Sequence, residues 1–279
     1  MTVHVLIPVF NRLALTQQLV DCMRRQQTDQ AIELLIVDDG STDGTDAWLS
    51  LQKDIRTVQG NGSLFWGGAI DVALKQLKAL ASADDWVLLM NNDTTVDVFF
   101  VQHLIDTARA HGPAAVGSVI RDESSPAKLL SIGAHIDPWR LVTRDLLDIS
   151  TLHRDQATVS VDALSGRGVL FPIASILAVA GMRPRALPHY LADYELSVRV
   201  RKAGWKLLVS TAAAVYSTED YGSTRRAMTW RERLLSVRSP AYLPALFVFW
   251  WGASNWLQRL TLPLRLPLFL VFPRLRKNA

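Results

Sequence analysis

Four segments of the chain carry side chains suited to binding and reacting a phosphorylated, hydroxyl-rich ligand. In residues 192–204, Asp193 stands at the start of a helical pattern, where the helix dipole favours negative charge. An ionised, fixed carboxylate there can take the proton from a hydroxyl as it attacks an electrophilic carbon. Glu195 lies four residues before Arg199, so a surface ion pair is its other reading. Asn91-Asn92-Asp93 follows an apolar run, and its carboxylate is the hard oxygen donor that a divalent cation on a diphosphate requires. A turn capping the next helix would use the same residue types.

The third segment, Asp38-Asp39-Gly40-Ser41-Thr42-Asp43-Gly44-Thr45, also follows an apolar run. A carboxylate there can accept hydrogen bonds from a base imide or from ribose hydroxyls, while the glycines let backbone approach a ligand. An acidic turn with a helix cap is the plainer alternative. The fourth is Ser165-Gly166-Arg167-Gly168, whose small residues admit a substrate and whose Arg167 suits a phosphate; a loop before a buried strand fits equally.

The elements that must position these groups alternate regularly. Residues 3–9, 33–37, 55–58 and 86–90 are short apolar, strand-like runs, and 13–27, 45–51 and 68–81 have helical spacing. Such alternation predicts a mainly parallel α/β sheet covered on both faces, with ligands beyond the carboxyl ends of its strands. Further strands are expected over 115–120, 129–136 and 159–164, mixed or antiparallel, then a helix over 193–202 and a last strand over 205–210.

At 279 residues and 49% hydrophobic content, the chain suits one core with an appendage. We expect a catalytic domain over 1–225, with a nucleotide half over 1–112 and an acceptor half over 113–225, followed by a tail over 226–279. A single cysteine, Cys22, permits no internal disulfide and suits a reducing compartment. The first ten residues have no secretory pattern, so a cytoplasmic location is expected. Positive charge gathers in the last quarter, from Arg225 through Lys277, beside apolar residues, which points to an anionic membrane surface more than to nucleic acid, although basicity alone reports only a polyanionic partner.

Taken in order, these motifs resemble family 2 of the inverting glycosyltransferases over residues 3–221. The resemblance implies the GT-A fold, a Rossmann-like, mainly parallel mixed sheet flanked by helices. It also implies a nucleotide-sugar donor (UDP, dTDP or GDP) and a Mn2+ or Mg2+ cofactor. By resemblance Pro8 and Asn11 close the opening strand, Asp39 and Gly40 meet the nucleotide, and Asn61 with Gly67 and Gly68 forms the donor loop and helix start. Asn92 and Asp93 occupy the Asp-x-Asp position with Asp93 the metal ligand, and Asp193 is the catalytic base. Trp66, Gly166, Arg167 and Glu195 are assigned to the acceptor side. The sequence departs from the family at Asn91 (usually Asp), Ala192 (usually Glu) and Asp71 (commonly Asn). No histidine follows the last strand, where Glu219 or Asp220 would have to serve.

Residues 241–257 are seventeen without a charge, short for a spanning helix and interrupted by Pro244 and Gly252. An interfacial segment is expected, with tryptophans at headgroup depth, on the cytoplasmic face of a bacterial inner membrane. Such a tail suits a lipid-linked saccharide acceptor of surface polysaccharide, such as O-antigen; a flap on the catalytic domain or a homodimer contact is the alternative. A sugar-1-phosphate nucleotidylyltransferase would need an early glycine-rich basic loop that is missing, and a catalytically degenerate, membrane-associated subunit remains the non-enzymatic alternative.

Overall fold

Val3, Val5, Leu6 and Ile7 are fully buried, as the apolar residues of a strand in a sheet covered on both faces must be. In the computed structural model, which describes residues 1–78, 80–147, 157–218 and 228–271, this strand is β1 (Thr2–Val9). There follow α1 (Leu13–Arg24), β2 (Ala31–Asp38), α2 (Thr45–Ser50), β3 (Ile55–Gln59), α3 (Phe65–Leu77) and β4 (Trp86–Leu89). These strands pair in parallel in the order β4-β1-β2-β3, so β1, β2 and β4 end side by side.

The next elements are β5 (Thr94–Val96), α4 (Phe100–His111), β6 (Ala114–Asp122), β7 (Leu129–Ser131), β8 (Ala134–Asp137) and β9 (Val142–Asp145). After them come β10 (Thr158–Ser160), β11 (Val169–Pro172), α5 (Ile173–Ala178), α6 (Ala192–Lys202) and β12 (Lys206–Ser217). β11 lies antiparallel between β4 and β6, which makes the sheet mixed, and β6 runs parallel to β12.

The expected strands change in several places, and the one expected over 159–164 is β10, which stops at Ser160. Residues 129–136 form two strands, β7 in the main sheet and β8 paired with β9 in a small separate sheet. The break falls at Gly133, where φ is +88° and a Cβ would sit 2.7 Å from Val161 Cγ1. The last strand continues to Ser217, because a register shift between Ser210 and Ala214 interrupts its pattern without ending its pairing with β6.

The described part of the tail comprises α7 (Trp230–Leu235), α8 (Leu243–Ala253) and α9 (Trp256–Val271). Ala245, Leu246, Phe249, Trp250, Leu262 and Leu266 are buried in the core cluster that also holds Leu196 and Val200 of α6. Lys202 Nζ donates to the carbonyls of Gly252 and Ser254, and Arg265 Nη1 donates to those of Pro138 and Trp139. The uncharged run is divided at Ser254, after which Asn255 and Gln258 cap α9 reciprocally. Among the described residues no helix is long and apolar enough to cross a membrane.

Candidate functional site

Where β1 ends, the backbone takes two successive left-handed residues, Asn11 at φ +58° and Arg12 at φ +66°. Asparagine tolerates this conformation, whereas for an arginine it is uncommon and is held by the surroundings. Here Asn11 N–H donates to Ser41 Oγ (2.7 Å) and Thr42 N–H donates to Asn11 Oδ1 (2.8 Å). Asn92 Nδ2 donates to Thr16 Oγ1 (3.1 Å) and, more weakly, to the Asn11 carbonyl (3.4 Å). Asn11 and Asn92 thus tie the ends of β1, β2 and β4 together, with Pro8 half-buried at the strand end.

Asp39 is buried and its carboxylate is largely engaged. Oδ1 accepts from Gly62 N–H (2.8 Å), and Oδ2 accepts from Leu64 N–H (2.8 Å) and Phe65 N–H (3.1 Å). These bonds set the path of the 60–65 loop into α3, and a Cβ on Gly60 would lie 2.6 Å from Asp39 Oδ1. Gly40 backs onto Gly62 in the same loop, while Asn61 is exposed and accepts locally from Ser63. Gly67 donates its N–H to the Pro188 carbonyl (2.7 Å), and a Cβ there would be 2.5 Å from the Leu187 carbonyl oxygen. Gly68 packs on Leu64. These two glycines serve contact between chain segments.

A chain of contacts then runs from the end of β4 to the start of α6. Trp66 Nε1 donates to Asn91 Oδ1 (2.8 Å). The same indole covers Gly166 so closely that a Cβ there would fall 2.2 Å from Trp66 Cζ2. Gly166 N–H donates to Asp193 Oδ2 (2.8 Å), and Tyr194 N–H donates to Asp193 Oδ1 (2.9 Å). Burial pushes the Asp193 carboxyl above the ordinary carboxylate range, against the opposing pull of those two N–H groups and of Arg167. The next residue anchors the helix start, as Tyr194 Oη donates to Asp145 Oδ1 (2.8 Å) on β9.

Not every candidate joins this arrangement. Glu195 is buried rather than on the surface, accepting two 2.8 Å bonds from Arg199 and pairing with Arg183 at 3.1 Å, so it is removed from the acceptor side. Arg167 is close enough to Asp193 to act on its carboxyl, and its Nη1 lies 3.5 Å from Ser217 Oγ. Asp71 pairs with Lys75. Glu219 and Asp220 lie outside the described residues. Arg12 went unrecognised in the sequence, although it directly follows Asn11: its Nη1 donates to Asp93 Oδ2 at 2.7 Å.

A divalent cation fits Asp93 in one respect, since Oδ1 is buried without a hydrogen-bond partner. Among the described residues no three His, Cys, Asp or Glu side chains gather as a metal site. A cation at Asp93 would therefore hold one protein carboxylate and complete its shell with diphosphate oxygens and water, a pattern typical of Mg2+ sites.

Residues 4–154, more than half of the chain, match the model of the family described as Glycosyl transferase family 2. The N-acetylglucosaminyl-diphospho-decaprenol L-rhamnosyltransferase of Mycobacterium tuberculosis (strain CDC 1551 / Oshkosh) is 26% identical over 222 residues, 71% of this chain and 70% of the relative. Among solved structures, GalNAc-T7 with UDP, GalNAc and Mn2+ aligns at TM-score 0.67 and 13% identity over 89% of the chain. S. aureus TarS aligns at 0.57 and 16% over 78%, and the mannosyltransferase PcManGT from Pyrobaculum calidifontis, with GDP-Man and Mn2+, at 0.54 and 15% over 96%. The chain spans 47% of the GalNAc-T7 structure, 37% of TarS and 75% of PcManGT, and at these identities the likeness is one of fold, the GT-A fold.

Proposed function

The chain belongs to glycosyl transferase family 2, and from that membership we propose that it moves a sugar, with inversion, from a nucleoside-diphosphate sugar to a saccharide carried on a polyprenyl diphosphate. The observation that carries this reading is Asp193, fixed by two backbone N–H groups in a setting that strengthens it as a base. Each of its oxygens keeps acceptor capacity for an incoming hydroxyl. Removal of that proton as the hydroxyl attacks opposite the departing diphosphate inverts the anomeric carbon. Bound at Asp93, Mn2+ or Mg2+ would neutralise the diphosphate leaving group. Asp39 orders the donor loop and retains one unused acceptor position for a base imide. Trp66 and Gly166 line the acceptor side. A subunit without turnover would have no need to keep Asp193 so placed.

The lipid-linked acceptor is supported by the name of the mycobacterial relative and by the tail. While one face of α8 and α9 enters the core, Leu243, Phe247 and Trp251 on α8 and Leu257, Leu260, Leu264 and Leu268 on α9 remain exposed at helical spacing. Arg259 lies over the Trp251 ring at 5.5 Å, joining a cation to that apolar face. This supports a peripheral helix on an anionic bilayer, which we take to be the cytoplasmic face of a bacterial inner membrane. We take 226–279 as this membrane-associating part, and 1–225 as the catalytic part.

Thermal unfolding with UDP, dTDP and GDP, each with and without Mn2+, together with sedimentation on anionic vesicles, tests both halves of the reading. One nucleotide should raise the unfolding temperature in a Mn2+-dependent way, and the protein should pellet with vesicles. Folded protein that responds to no nucleotide would overturn the transferase reading, and protein left in the supernatant would overturn the membrane acceptor.

A further inference from the structure

We propose that Arg12 is a diphosphate-binding residue that the resting protein keeps on Asp93 and releases when a divalent cation takes that carboxylate. The inference rests on the donor and cation assignments above.

Arg12 Nη1 and Asp93 Oδ2 are 2.7 Å apart, with side chains 43% and 22% exposed, so the contact is open enough to exchange. The guanidinium supplies at Asp93 the positive charge that a cation would otherwise bring. A divalent ion on the same carboxylate repels the guanidinium and draws charge from the oxygen that it holds, so cation binding weakens the Arg12 contact. Asp93 Oδ1, buried and without a partner, shows that the arginine satisfies only half of this carboxylate.

The backbone beneath Arg12 does not move freely. Its carbonyl accepts from Thr16 N–H (3.0 Å) and Thr16 Oγ1 (3.2 Å), and the Asn11 side chain is bound by the 41–42 turn. Residue 12 itself sits at φ +66° without being glycine, a conformation whose strain points to a functional constraint at a strand end. Displaced from Asp93, the guanidinium is still tethered beside the cation, where the donor's diphosphate oxygens must lie. Its planar fork matches two of those oxygens at once. The order that follows is cation to Asp93, then Arg12 to the diphosphate, so that cation and nucleotide bind cooperatively.

The decisive comparison uses the full-length wild type and Arg12→Gly, since glycine adopts the same backbone freely and should unfold no earlier. Titration with Mn2+ alone should show Arg12→Gly binding roughly fivefold more tightly, the ion pair no longer competing. With Mn2+ saturating, the nucleoside diphosphate that stabilises the wild type should bind Arg12→Gly about tenfold more weakly, for loss of a charge-assisted fork. Arg12→Lys should fall between the two in both measurements. Equal Mn2+ affinities, including no binding by either protein, or equal nucleotide affinities, would overturn the proposal. A wild type that binds no nucleotide at all would instead overturn the transferase reading, so the two failures are separable.

Discussion

Asp93 and Asp193 stand at opposite ends of one run of contacts through Asn91, Trp66 and Gly166, and they are held in opposite ways. At the Asp93 end one oxygen is paired with a half-exposed arginine and the other has no partner. At the Asp193 end both oxygens accept from backbone N–H groups, which are fixed by the course of the chain. A side-chain cation can be exchanged for another cation, whereas a backbone donor cannot leave without unfolding its loop. The first arrangement suits a group that must change partners during turnover, and the second suits one that must stay aimed.

The comparison breaks most sharply at Asp193. In Asp193→Asn one of the two backbone N–H groups keeps an oxygen acceptor and the other faces the amide nitrogen, while the base is gone, so the transfer rate should fall roughly a thousandfold. The Mn2+-dependent nucleotide response, which belongs to the other end, should be unchanged. Retained transfer by the purified variant would show the base assignment to be wrong.

A smaller effect is expected from Gly166→Ala, which adds a single methyl. Its Cβ would lie 2.2 Å from Trp66 Cζ2, so the indole or the 165–168 loop must shift. Overpacking of this kind costs about 1–3 kcal/mol of stability, and a displaced base loses up to about a hundredfold in rate. If the two ends are coupled through Trp66, nucleotide binding should weaken as well, by the loosening of Asn91. A variant with reduced transfer and unchanged nucleotide affinity would show that Trp66 merely fills space.

Much of this arrangement was legible in the sequence, for a physical reason. Asp39, Asn91 to Asp93 and Asp193 are each placed by a local rule, a strand end or a helix start, and such rules act over a few residues. What was not legible is pairing at long separation: Trp66 meets Asn91 across 25 residues, Gly166 meets Asp193 across 27, and Arg12 meets Asp93 across 81. No periodicity encodes those meetings. Glu195 shows both sides of the point. Its spacing to Arg199 announced an ion pair, but Arg183, from the loop before α6, makes that pair a buried one. In the tail, the absence of charge over 241–257 marked an apolar segment, while the reciprocal Asn255 and Gln258 cap that divides it depends on residue types common in any turn.

The most delicate distinction between regions is their response to pH. Asp43, on the donor side, is held below the ordinary range by the Thr45 hydroxyl and the Leu13 N–H, whereas burial raises Asp193. The two therefore act on stability with opposite signs. Asp43 stabilises the fold at neutral pH, and that contribution is lost as pH falls through its lowered pKa. Asp193 favours the folded state fully below its unfolded pKa, a contribution lost as pH rises through the raised folded pKa, so keeping it ionised at neutral pH costs stability. As the proposed base Asp193 must be ionised, so kcat/KM should fall with unit slope on the acid side at a pH above about 4, the ordinary aspartate value. Nucleotide binding should persist through that limb, since no donor contact depends on Asp193. An acid limb at or below the ordinary value would mean that water reaches Asp193 freely, and the contrast between an exchangeable end and an enclosed one would not hold.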